Sequence, residues 1–214
     1  MIMGLFVSIS TEIEDMTPFR KLREMDVPIV FFDRVPEAEG YNKVCQADNT
    51  AAAIAANAII EKKKKRVLGL FGHPHLSITK MRCASFKETL ASQSPDTIID
   101  IDYPESIAES RKAALEALKE KGKYDVVFCM GDLILIGVMY AIHELNLRVP
   151  EDIGVISISN GLIPTLYKPK ITYVETSGFK LGKLAFSQML SCLVNNTTPR
   201  EVTLDAVLVP GGSL

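Results

Sequence analysis

Short apolar runs alternate along this chain with longer stretches in which apolar residues recur every third or fourth position. The clearest example lies between residues 124 and 160, YDVVFCMGDLILIGVMYAIHELNLRVPEDIGVISISN. Residues 125–130 form an apolar run rich in Val and Phe and bounded by Gly131, the pattern of a strand buried on both faces. A helix is predicted over 132–145, with Asp132 placed as its N-cap and with Asn146 and Pro150 ending it. A second buried strand follows at 153–158. Strand, helix and strand in this order require a crossover above a parallel sheet.

The remaining residues repeat that unit. Strands are predicted at 5–10, 29–32, 67–71, 97–101, 171–174 and 202–209, and helices at 15–25, 48–60, 77–92, 105–121 and 177–194. Residues 33–43 are polar and turn-rich, and residues 161–169, with Gly161, Pro164 and Pro169, read as a loop. Alternation of this kind predicts an α/β fold with doubly wound parallel sheets.

Composition narrows the function. A chain of 214 residues with 47% apolar and 23% charged residues has an ordinary globular balance, enough for one or two domains, and is not that of a disordered chain. The formal charge is −2. The one dense basic run, EKKKKR at 61–66, falls where a helix ends and a strand begins, which reads as a solvated helix terminus rather than a nucleic-acid patch. Cys45, Cys83, Cys129 and Cys192 have no metal or C-x-x-C spacing, and Cys129 sits in a predicted buried strand, so a reducing compartment is expected. Neither a membrane-spanning run nor a signal-peptide core is legible, and the expected location is the cytoplasm. His73-Pro74-His75 lacks a third ligand at a recognisable spacing, and no P-loop, nucleophile triad or zinc motif occurs. No catalytic residue, metal or cofactor is expected.

The segment 128–160, from FCMGD to VPEDIGVISISN, resembles the effector-binding core of the Lac repressor family of bacterial transcription regulators, with VPEDIGV its most specific piece. VPIVFFDR at 27–34, ADN at 47–49, the Arg82-x-x-Ser85-Phe86 motif and ITYVETSGFKLGKLA at 171–185 match in the same order, so the resemblance covers essentially the whole sequence. It implies a two-lobed, periplasmic-binding-protein-like fold. Residues 1–35 and 175–199 would form the lobe nearer the DNA, and residues 36–174 and 200–214 the distal lobe. Family members begin with a helix-turn-helix and two strand–helix units ahead of the strand expected at 5–10. The N-terminal lobe is therefore expected to be incomplete, with DNA contacted only through a domain outside these residues. A small effector, sugar or purine-like, would bind between the lobes and shift the DNA-binding state of a homodimer. A solute-binding protein of a sugar transport system shares the fold and is the alternative.

The same resemblance nominates residues. The Arg matching Arg82 points into the cleft and binds the effector in the family; a surface Arg on an amphipathic helix is the other reading. Asp33 could accept two sugar hydroxyls or pair with Arg34, Phe128 could be a cleft aromatic or an inward core residue, and Tyr103 could supply a stacking face or pack at the rim. Two positions depart from the sugar-binding pattern: Gly131 stands where Asn is usual, and Ser159-Asn160 where Asp-Asn is usual. Each departure removes a polar partner for an effector. Asp132 is retained, although capping its helix would account for it. That helix is apolar nearly all round, so Leu133, Ile136, Met139 and Tyr140 are the expected dimer contact, unless the same lobe covers them.

Overall fold

Strand and helix alternate through a computed structural model that describes residues 2–9, 15–195 and 198–214. In chain order they are β1 (Leu5–Val7), α1 (Thr17–Glu24), β2 (Ile29–Phe32), β3 (Asn42–Gln46), α2 (Asp48–Glu61), β4 (Arg66–Leu70), α3 (Ser77–Gln93), β5 (Ile98–Asp102) and α4 (Ile107–Leu118). Then come β6 (Val126–Cys129), α5 (Asp132–Glu144), β7 (Gly154–Ser159), a 3-10 turn (Ile163–Leu166), β8 (Thr172–Glu175), α6 (Gly178–Asn195), β9 (Glu201–Leu204) and β10 (Val207–Val209). Of the strand expected at 5–10, the last residue lies outside the described ones.

The chain divides into two units, Met1–Ala47 with Ser177–Asp205, and Asp48–Thr176 with Ala206–Leu214. The first holds a parallel four-stranded sheet in the order β1-β2-β3-β9, with β1 at its edge. Successive residues of β2 point to opposite faces, and both faces are covered. Ile29 and Phe31 pack with Phe19 and Leu22 of α1, whereas Val30 packs with Leu181, Ala185 and Met189 of α6.

The second unit holds six strands in the order β10-β8-β7-β6-β4-β5, parallel except for β10, which runs antiparallel to β8. Helices α2 and α3 pack on each other, as do α4 and α5. The reversal of strand order on either side of β4 and β6, with right-handed crossovers, sends α3 and α5 to opposite faces. β6 and β7 are buried at every position, as their largely apolar sequences predict, with Ser157 and Ser159 the polar exceptions in β7. Gly137 allows the approach of α5 to α4: a Cβ there would lie 2.5 Å from the Ile107 carbonyl oxygen.

Three expectations are corrected. The lobe boundaries set at 35 and 199 fall instead at 47 and 205, because β3 pairs with β2 and β9 pairs with β3; the boundary set at 174 falls at 176. β3 itself, NKVCQ, was hidden by polar residues: Lys43 and Gln46 are buried, and the Lys43 ammonium reaches the Glu37 carbonyl at 3.5 Å and Glu201 at 4.0 Å. The single strand expected at 202–209 is two strands, broken at Asp205-Ala206 where the chain passes from one sheet to the other. As the sequence suggests, the basic run lies beyond the end of α2; Lys65 pairs with Asp96 at 2.6 Å and Arg66 with Asp125. None of the four cysteines is joined in a disulfide. Among the described residues no helix is long and apolar enough to cross a membrane.

Candidate functional site

In a parallel sheet every strand delivers its next loop to the same edge, so residues that follow β4, β5, β6 and β7 collect at the carboxyl end of the second unit's sheet. Arg82 reaches this end from α3. It is 6% exposed, and its guanidinium is held on two sides. Nε and Nη2 lie 2.8 and 2.7 Å from Oδ1 of Asp48, the first residue of α2, and Nη1 donates to the Met130 carbonyl at 2.8 Å. Arg82 is thus no surface arginine. An arginine carries five N–H donors, so this arrangement leaves some for a ligand while Asp48 cancels its charge. Ser85, which replaces the motif's glycine, donates to the Asn49 carbonyl at 2.7 Å and ties α3 to α2.

Met130 leads into Gly131 and Asp132 at the start of α5. The expectation that Asp132 caps this helix is not met: Gly131 occupies the cap position, no side chain caps the helix, and Asp132 is its first residue. The Asp132 carboxylate instead accepts from the Ser159 hydroxyl and from the Asn160 N–H at 3.4 Å. Ser159 Oγ in turn accepts from the Gly161 N–H at 3.0 Å, and Asn160 Oδ1 accepts from the Leu162 N–H at 3.1 Å. Thr176 donates its N–H to the Ser159 carbonyl at 2.9 Å. Ser159 is therefore more than a lost acidic partner, since its hydroxyl fixes the carboxylate one strand away. The ends of β6, β7 and β8 form one polar network with Asp132 at its centre.

Tyr103 follows β5 and is 39% exposed. Its hydroxyl lies 3.7 Å from the Cys83 thiol, and that contact together with partial burial pushes its pKa up, so the phenol stays neutral at neutral pH. Phe128 is fully buried. It stacks on Phe86 at 4.3 Å between ring centroids and meets Phe71 at 5.2 Å, so the core alternative describes it and the cleft-aromatic one does not. His73 lies 3.7 Å from Glu105. No group of three His, Cys, Asp or Glu among the described residues could hold a metal.

Asp33 belongs to the first unit. It follows β2 with φ 62° and sits 3.9 Å from Arg34, its neighbour in sequence. On α5, Leu133 and Tyr140 are 59% and 58% exposed, and Ile136 and Met139 are half-buried. Leu133 and Tyr140 are thus left open, whereas Met139 also packs on the unit's own core. Asp48 and the Met130 carbonyl were missed as site groups, because an acidic residue opening an Ala-rich helix reads as a cap and a carbonyl carries no sequence signal. The ADN match at 47–49 was the available clue.

The profile of the periplasmic binding protein-like domain matches residues 56–214. The chain belongs to that family. Its relatives by sequence include the HTH-type transcriptional repressor PurR of Vibrio atlanticus, 26% identical over 189 residues, which are 85% of this chain and 57% of that protein. The PurR of Photobacterium profundum is 25% identical over 204 residues, 93% of this chain and 60% of that protein. The chain thus spans less than two thirds of the length of these curated relatives. Among solved structures, a LacI family transcriptional regulator from Enterococcus faecalis with bound ribose superposes with a TM-score of 0.86 at 20% identity, over 100% of this chain and 78% of that one. The transcriptional regulator CelR in complex with cellobiose gives 0.83 at 21% identity, over 99% and 65%. The two-lobed α/β fold and the resemblance to the Lac repressor family are borne out by these relatives of the periplasmic binding protein-like family.

Proposed function

We propose that this chain is the effector-binding core of a cytoplasmic bacterial transcription regulator of Lac repressor type, a sensor rather than an enzyme. The observation that carries the reading is Arg82, buried at the carboxyl end of a parallel sheet, clamped by Asp48 and the Met130 carbonyl with N–H donors to spare. Asp132, oriented by Ser159 and Asn160, supplies the complementary acceptor. Donors and acceptors fixed at such an edge suit a polyhydroxylated small molecule. The names of the sequence relatives and the ribose and cellobiose of the structural relatives support the same reading. The first unit would be the one nearer the DNA and the second the distal one, with DNA contacted through a segment outside these residues. An effector acts by binding one arrangement of the protein more tightly than another.

A homodimer is the natural relay, and the apolar face of α5 is its proposed contact. Tyr140 stands beside an open groove of about 670 Å³ lined by Ile136, Met139, Tyr167 and Pro169, so ridge and groove lie side by side as a two-fold interface requires. Two measurements test the reading. Thermal-shift screening of the protein against a sugar and nucleoside library should find a compound that raises the melting temperature, and Arg82→Lys should abolish that shift. Sedimentation at micromolar concentration should show a dimer that Tyr140→Glu converts to monomer with its fold intact. A library without a single hit would remove the sensor reading, and a monomeric wild type would remove the α5 contact.

A further inference from the structure

Gly131 is a glycine that nothing in its own surroundings requires. Its φ of −166° is extended backbone open to any residue. A Cβ there would find no atom within 4 Å, so no neighbour excludes a side chain. Capping argues against it as well, because Asn, Asp and Ser cap helices better than Gly and α5 has no side-chain cap. What the glycine does provide is free space at the carboxyl end of β6, beside Arg82 and Asp132.

A second glycine lies one strand away, its Cβ position already filled by a side chain. Gly72 follows β4, and its Cβ position is 3.0 Å from Cε of Met130, whose flexible thioether borders this ground. It is also 3.8 Å from the hydroxyl of Thr79. Thr79 is 1% exposed, and its Oγ1 has no hydrogen-bond partner among the described residues. A buried hydroxyl left unpaired costs stability, but with its oxygen covered it offers no surface to a ligand. Beyond β4 comes β5, with the half-exposed ring of Tyr103 at its end. Neighbouring strands are about 4.8 Å apart, so Tyr103 stands about 10 Å from Gly131, a span that a sugar joined to a planar ring can cover.

Charge narrows the ligand further. Asp48 neutralises Arg82, and Asp132 adds a carboxylate, so a phosphate or carboxylate on the ligand would meet net repulsion. Thioether and phenol groups both favour contact with an aromatic face.

We propose that the effector is a neutral glycoside bearing a planar aromatic ring, with the ring over the open position of Gly131 between Met130 and Tyr103. This rests on the sensor reading above and gives its site a ligand class. The sugar hydroxyls face Arg82 and Asp132.

Isothermal titration of the protein, of Gly131→Asn and of Tyr103→Ala with four probes tests it: D-ribose, adenosine, 4-nitrophenyl β-D-glucopyranoside and adenosine 5′-monophosphate. The wild type should bind one of the two neutral aromatic glycosides about tenfold or more tighter than D-ribose, a scale set by one well-filled apolar contact. Adenosine ahead of the nitrophenyl glycoside would identify a heteroaromatic ring, the reverse order a plain arene, and the monophosphate should be the weaker adenosine compound. Gly131→Asn should weaken the aromatic glycoside by about tenfold while D-ribose binds as tightly as before or more tightly, since the amide restores a polar partner. Asn is a good cap, so its melting temperature should match or exceed the wild type, and lost binding would not reflect lost folding. Ribose binding as tightly as both aromatic glycosides, an unaffected Gly131→Asn, or no binding of any probe would overturn the proposal. A free sugar that binds while the aromatic glycosides do not would leave the sensor reading standing and remove this one.

Discussion

Arg82→Ala lowers the unfolding free energy by about 3–5 kcal/mol, the scale for removing one partner of a buried ion pair. The side chains of Arg82 and Asp48 are 8% and 4% exposed, so the carboxylate left behind has little water to turn to. The Met130 carbonyl loses its donor at the same time. In urea the midpoint should fall with the slope unchanged. Adding Asp48→Asn to Arg82→Ala removes the stranded charge and should recover part of the loss, a sign that simple truncation of packing would not give. A cost below about 1 kcal/mol would mean that the pair behaves as a solvated one and that Arg82 is not fixed by Asp48.

Phe128→Ala should be comparably damaging, at about 3–5 kcal/mol, because it empties the centre of the aromatic cluster formed with Phe71 and Phe86. Phe128→Leu keeps most of the volume and should cost less than about 1.5 kcal/mol. The pair of variants separates core from ligand contact. A residue that only touched an effector would lose binding on truncation and keep its stability, so a stable Phe128→Ala with weakened effector binding would reverse the assignment made from its burial.

The sequence carried the second unit's sheet openly, because strands buried on both faces are rich in apolar residues: VVFC is wholly apolar, and GVISIS is interrupted only by Ser157 and Ser159. β3 was invisible for the opposite reason. Its buried Lys43 and Gln46 put polar letters into a strand, and Lys43 is met by Glu37 and Glu201, one supplied by a loop and the other distant in sequence. At the site, Arg82 was legible through a motif, whereas its clamp was not. Asp48 and Asp132 both open helices, and a carboxylate at a helix start has the same local signature whether it caps, pairs with an arginine or bonds a serine across a strand. Ser159 was read as a missing acidic group because the hydroxyl's partner, Asp132, lies a full crossover away. Long-range pairs of this kind are fixed by topology, not by spacing.

The way the chain is shared between the units also sets an order of assembly. The second unit contains an unbroken stretch, residues 48–176, whose strands are joined by single crossovers, while the first is assembled from two pieces with all of that stretch between them. Closing so long a loop in an unfolded chain is slow and entropically opposed. Once α2 has packed against β8, the loop is already closed: α2 begins at Asp48 and β8 ends at Glu175, so Ala47 and Ser177 are brought within reach of each other. The first sheet then has only local pairing left to complete, and β3, β9 and α6 come together as neighbours rather than as strangers. On this order the larger unit closes the chain first, and a lesion in its core is expected to slow the pairing of β3 with β9 as well.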